Sequence, residues 1–132
     1  MRKTITVVTE AKTTVTNVTE QLQEMVGGVG SGLALFSVPH TTAALIICED
    51  DAELREDLVR VAETWLAPLR PFKHIKNNNP NTEAHLLSAF AGTGVTVPVV
   101  KGRLELGTYQ NILLLEMDGP KQRTIHCYVV GA

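Results

Sequence analysis

The chain reads as a single α+β domain, and three observations point there. Alternating or β-branched segments recur from one end of the sequence to the other. Two clear helical stretches interrupt those strands in blocks, without the strict strand–helix alternation of a doubly wound sheet. The length, 132 residues, suits one domain, and 44% hydrophobic against 20% charged residues can bury a core and excludes global disorder.

Taken in order, Arg2 to Thr9 alternates apolar with polar and puts Ile5 and Val7 on one face. Thr13 to Val18 continues the β-branched bias. Thr19 to Met25 then forms a short amphipathic helix with Leu22, Met25 and Val26 on one side, stopped by Gly27-Gly28-Val29-Gly30. Ser31 to Val38 and Ala43 to Cys48 read as two buried strands broken at Pro39. The clearest helix follows. Asp50 or Asp51 caps it, Glu53 sits at capping-box spacing from Asp50, and Leu54, Leu58, Val61, Ala62, Trp65, Leu66 and Leu69 form one apolar stripe expected to be core. Pro68 and Pro71 end it. A polar, Asn-rich loop precedes a second helix from about Glu83 to Phe90, which stops at Gly92. The remainder is strand: Thr93 to Val99, a turn at Lys101-Gly102, a strand through Gln110 to Met117, a turn at Gly119-Pro120, and Thr124 to Val130. So many apolar strands in so few residues leave sheet surface that a partner subunit would cover, so a homo-oligomer is expected.

Composition narrows the function. Twelve Lys+Arg against 14 Asp+Glu give a net charge of −2, without the basic face that nucleic-acid backbones require. Aromatics, at 5%, are too scarce for a base-stacking platform. The opening MRKTITVVTEAK lacks the apolar core of a signal peptide, and apolar runs such as Ala43 to Cys48 fall far short of the ~20 residues of a membrane helix. The cytoplasm is the expected compartment, with no membrane partner. Cys48 and Cys127 lie in apolar runs and read as reduced core residues.

Four histidines stand out. His40 ends a strand, His74 opens the polar loop, His85 lies in the first turn of the following helix, and His126 sits inside the last strand. Three imidazoles can form an open metal site, although no pair has the close spacing that binds metal by itself. The alternative is unrelated, hydrogen-bonded histidines, and for His126 a packed or surface role. Glu49, at a strand end, suits a general base or a group that orients a ligand histidine. Capping explains Asp50 and Asp51 better than it explains Glu49. GTGVTVPVVKGRLELGTYQ offers backbone amides, hydroxyls, Lys101 and Arg103, the parts that hold a phosphate or carboxylate. It contains no phosphate-binding P-loop and no dinucleotide fingerprint, and hairpin turns are the preferred account of its glycines.

HTTAALIICED, then His74, then His85 within NTEAHLL, then TVPVVKGRLELGTYQNI together resemble the family known as secondary thiamine-phosphate synthase. The likeness runs from about Gly32 to the C-terminus. It implies antiparallel or mixed sheets in a sandwich-like arrangement with two main helices, assembled as a homotrimer, with a pocket near a subunit boundary. It further implies His40, His74 and His85 as ligands of a divalent metal such as zinc. Glu49 and Arg103 then take catalytic roles. Asn81, Thr96, Lys101, Gly107, Thr108, Tyr109 and Gln110 bind a small phosphorylated substrate. The implied activity joins a pyrimidine diphosphate to a thiazole phosphate and releases pyrophosphate. The chain departs from the usual pattern at Cys48, Asn77, Gly94 and Tyr109, where Asn, an acid, Ser and Trp are frequent. A non-catalytic protein that binds a phosphorylated metabolite or a metal is the competing expectation.

Overall fold

The computed structural model describes residues 2–74 and 81–131. Among these are eight strands and three α-helices. The first half runs β1 (Arg2–Val8), β2 (Thr14–Asn17), α1 (Thr19–Val26), β3 (Gly32–Ser37), β4 (Ala43–Cys48) and α2 (Ala52–Thr64). A 3₁₀ turn (Ala67–Leu69) leads on to α3 (Thr82–Ala91), β5 (Gly94–Val100), β6 (Arg103–Leu104), β7 (Asn111–Glu116) and β8 (Gln122–Gly131). They form two antiparallel sheets. One has the order β1-β8-β3-β5-β6 and the other β2-β7-β4.

The alternation of side chains along a strand sets the layers. Ala34, Phe36, Val97 and Ile125 of the larger sheet pack with Leu45, Ile112 and Leu114 of the smaller, and Val18, Leu22 and Val26 at α1 complete that core. On the other face of the smaller sheet, Ala44, Leu113 and Leu115 meet Leu66 and, from α3, Ala84 and Leu87. Strand β7 is therefore buried on both faces, which is why NILLLE is almost continuously apolar. Helices α2 and α3 lie outside the smaller sheet while α1 packs into the core between the sheets, and no element among the described residues covers the outer face of the five-stranded sheet.

Three expectations need correction. Strand β3 is buried on one face only, because Leu33 and Leu35 point to the bare side. The apolar stripe expected to be core is only partly so: Leu66 is buried, whereas Val61 and Leu69 are exposed. No residue of α2 is fully buried, and Trp65 beyond it is 63% exposed. The helix rests on the edge of a three-stranded sheet, a surface narrower than its stripe, so Leu58, Val59 and Ala62 are only partly covered. Cys127 is buried, but Cys48 is only partly so; both thiols are free.

Local chemistry fixes the element ends. The Asp51 carboxylate accepts from the Leu54 amide at 2.7 Å and caps α2, which frees Asp50 for another role. The Asn17 side chain accepts from both the amide and hydroxyl of Thr19, opening α1. Gln23 on α1 clamps the β5–β6 hairpin, donating to the Gly102 carbonyl and accepting from the Leu104 amide.

Candidate functional site

The candidate residues fall into groups at opposite ends of the sheets. Strand β4 begins just after His40 and ends just before Glu49. Its six residues separate the two by roughly 17 Å at about 3.3 Å per residue. Strand β7 runs antiparallel to it, with Cys48 opposite Asn111 and Ala43 opposite Glu116. Gln110 and Tyr109 therefore belong to the Glu49 end, and Asp118 to the His40 end.

At the histidine end, the rings of His74 and His85 meet edge to face with centroids 5.1 Å apart. Helix α3 positions them. Its first turn carries His85, while the Thr82 hydroxyl donates to the His74 carbonyl at 2.6 Å and draws the incoming chain back onto the helix. Asn81, which immediately precedes α3, donates to the Asp118 carboxylate at 3.2 Å, and Lys121 binds the same carboxylate at 2.7 Å. Burial pushes the Asp118 carboxyl up, but Lys121 and Asn81 outweigh it and hold its pKa below the ordinary value.

Beside this lies a closed polar network that the sequence reading missed. Glu116 and Arg123 share the inward face with Leu114 and Ile125, at the rim of the sandwich. They form a buried, two-pronged ion pair. The Thr9 hydroxyl donates to Glu116 at 2.7 Å, and Arg123 donates to the hydroxyl and carbonyl oxygens of Thr42. Burial works against the Glu116 carboxylate, yet Arg123, the Asp118 amide and Thr9 together keep its pKa lowered. His40 is half-buried near this network, and the amide of Thr124 donates to its Nε2 at 2.9 Å. Burial, then the nearby Arg123 guanidinium, lowers its pKa. His126, one of the four histidines, pairs its Nδ1 with the Thr4 hydroxyl at 3.0 Å.

At the other end, Glu49 is exposed. Next to it Asp50 is held by Arg55 through two hydrogen bonds of 2.5 and 2.6 Å and by Asn17 at 2.8 Å. The Arg55 bonds, foremost, take its pKa down to about 2. Gly107 and Gln110 close a tight turn on each other, since the Gly107 amide donates to the Gln110 side chain at 2.7 Å. Thr108 is exposed, and Tyr109 is 72% exposed.

Lys101 and Arg103 follow the end of β5 that is remote from His40, because Gly94 at its start pairs with Ser37, and Thr96 lies between the two ends. Lys101 turns the β5–β6 hairpin, its amide held by the Ser31 hydroxyl. Arg103 lines a groove with Glu20 and Glu24. Thr96 is exposed on the bare sheet face, opposite Leu35. Asn77 lies outside the described residues.

The histidine pair has the right chemistry for a metal. With Zn–N bonds of about 2.0–2.1 Å, two imidazoles on a tetrahedral zinc hold their centroids roughly 5 Å apart. Among the described residues, no group of three or more His, Cys, Asp or Glu side chains is assembled for a metal within one chain.

A two-sheet sandwich with α2 and α3 on one side and a polar, histidine-bearing end defines the class of protein. A family model described as UPF0047 protein YjbQ-like matches residues 3–132, and the chain belongs to that family. A UPF0047 protein of Archaeoglobus fulgidus is 37% identical over 121 residues, 92% of this chain and 94% of that one. The UPF0047 protein YugU of Bacillus subtilis is 34% identical, covering 99% of this chain and all of its own length. Among solved structures, the hypothetical protein APE1520 of Aeropyrum pernix superposes with a TM-score of 0.92 at 40% identity, covering 100% of this chain and 99% of that one. A YbjQ-like protein of unknown function from Sulfolobus solfataricus gives 0.91 at 33%, covering 100% and 97%.

Proposed function

We propose that the protein is an enzyme acting on a small phosphorylated molecule, with a divalent metal such as zinc held by the His74–His85 pair. The single observation that carries this reading is the 5.1 Å edge-to-face approach of those two rings on a well-anchored helix start. A metal held there would supply charge neutralisation for phosphate oxygens. The reaction class is a transfer like that of secondary thiamine-phosphate synthase. In it the carbon–oxygen bond to a pyrimidine diphosphate breaks, pyrophosphate leaves with the electron pair, and the nitrogen lone pair of a thiazole phosphate forms the new bond.

Such a transfer needs its leaving group stabilised and its cation shielded from water. Within this reading Arg103, Lys101, Thr96 and Thr108 bind phosphates, Tyr109 packs on a ring, and Glu49 serves as a base or orienting carboxylate. Glu49, Lys101, Arg103, Thr108 and Tyr109 stand at the other end from the histidines in one chain, so the reading includes a site completed between subunits of a homotrimer. The uncovered apolar face of the five-stranded sheet supports assembly.

The test is turnover of the pyrimidine diphosphate and thiazole phosphate pair with added zinc, for wild type, His74→Ala and His85→Ala, with circular dichroism as a folding control. Product from wild type and at least a 100-fold loss in both folded variants is the expected result. Full turnover in both variants would remove the histidine pair from the chemistry. Tight binding of the phosphates without product would favour a non-catalytic binding protein, the reading suited to the exposed, unassembled position of Glu49.

A further inference from the structure

The His40 ring is fixed by the backbone of β8, and that contact dictates which of its nitrogens carries the proton. Strand β3 ends at Ser37, opposite His126, so by register Thr124 comes opposite Pro39. The chain has left the ladder by then, and Pro39 is part of the loop that leads to β4. The Thr124 amide is therefore left without a strand acceptor on that side, and His40 Nε2 takes the place of the missing carbonyl at 2.9 Å. A ring nitrogen that accepts an N–H bond has its lone pair engaged and carries no hydrogen. In the neutral ring the hydrogen is then on Nδ1.

That tautomer conflicts with metal ligation. Coordination through Nε2 would displace the Thr124 amide. Coordination through Nδ1 would move the hydrogen to Nε2, where two donors would face each other. Each route strands a backbone amide that the fold has gone out of its way to satisfy. The half-buried ring instead leaves Nδ1–H as a donor, in a setting where the charges of Arg123, Glu116, Lys121 and the neighbouring His126 all bear on it.

We propose that His40 is not a metal ligand but a fixed Nδ1–H donor that binds an anionic oxygen of the ligand, of phosphate or carboxylate type. The ligand's identity rests on the phosphorylated-substrate reading above; the tautomer does not.

Two measurements on the intact chain test it. Nitrogen-15 NMR of the imidazoles, without metal, should show His40 protonated at Nδ1 and unprotonated at Nε2. The opposite tautomer overturns the proposal. The second compares zinc and inorganic pyrophosphate binding by calorimetry in wild type, His40→Gln and His74→Ala. Glutamine keeps an acceptor at the Nε2 position for Thr124 and has no Nδ1 donor. The expected result is zinc affinity in His40→Gln within about threefold of wild type, with pyrophosphate affinity down about tenfold, as for one lost hydrogen bond to a charged group. A zinc loss in His40→Gln as large as in His74→Ala overturns the proposal, and so does unchanged pyrophosphate binding. Wild type that binds pyrophosphate but no zinc removes the metal reading alone and leaves the His40 donor supported.

Discussion

Glu116 and Arg123 are charges inside a layer otherwise filled with Phe36, Leu114 and Ile125, and each is tolerable there only because of the other. Arg123→Met strands the carboxylate, and urea unfolding is expected to show a loss of about 3–5 kcal/mol. A loss below about 1 kcal/mol would mean that the pair is solvated. Asp50 gives a pH signature of a different kind. Its pKa falls from 3.8 to about 2 on folding, so its contribution is complete above about pH 4 and is lost as the pH drops through about 2. Thermal melts from about pH 5 downward should show less of this acid sensitivity in Asp50→Asn than in wild type. At this scale the sequence revealed donors and acids by type, but not which of them meet. His74 and His85 are eleven residues apart with a polar loop between them, and among the described residues the Thr82 contact back to His74 accounts for their approach. Glu116 and Arg123 were overlooked because a charged residue closing an apolar run looks like an ordinary strand end.

Among the elements, the β5–β6 hairpin depends on a glycine for both conformation and space. Gly102 has φ of +76°, and a Cβ there would come within 2.9 Å of the Gly27 carbonyl oxygen and 3.1 Å of the Val29 carbonyl oxygen. Gly102→Ala should cost about 1–3 kcal/mol and weaken the Gln23 clamp, with faster exchange of the Leu104 amide as the local readout. Unchanged stability and exchange would contradict this close approach. Strand and helix positions were largely legible, because two-residue and helical periodicities survive in short segments. The burial of α2 was not. An amphipathic stripe records which side of a helix is apolar, and the width of the three-stranded sheet beneath it decides how much of that side is covered.

For the molecule as a whole, Leu33 stands opposite both Val130 and Pro98, and Leu35 opposite Tyr128 and Thr96, on a face that no element among the described residues covers. Val130 is 70% exposed there. Apolar side chains in adjacent rows of one sheet mark an association surface. Sedimentation of the wild-type chain is expected to show a trimer, and Leu35→Asp with Val130→Asp a folded monomer. A wild-type monomer would remove this basis for a composite site. An excess of apolar sheet surface was readable from the number of apolar strands; the separation of Glu49 from the histidines was not, since it follows from the direction of β4.

Strand β7 stands between the two cores as a shared wall. Leu113 and Leu115 serve the side that carries the histidine-bearing helix, and Ile112 and Leu114 serve the sandwich. Shifting its register by one residue would exchange the two sets at once. Changes confined to one parity, in contrast, can retune the packing beneath α3 while leaving the sandwich untouched. The wall thus gives this small domain two compartments that mutation can adjust separately, one for holding its shape and one for setting the geometry of its histidines.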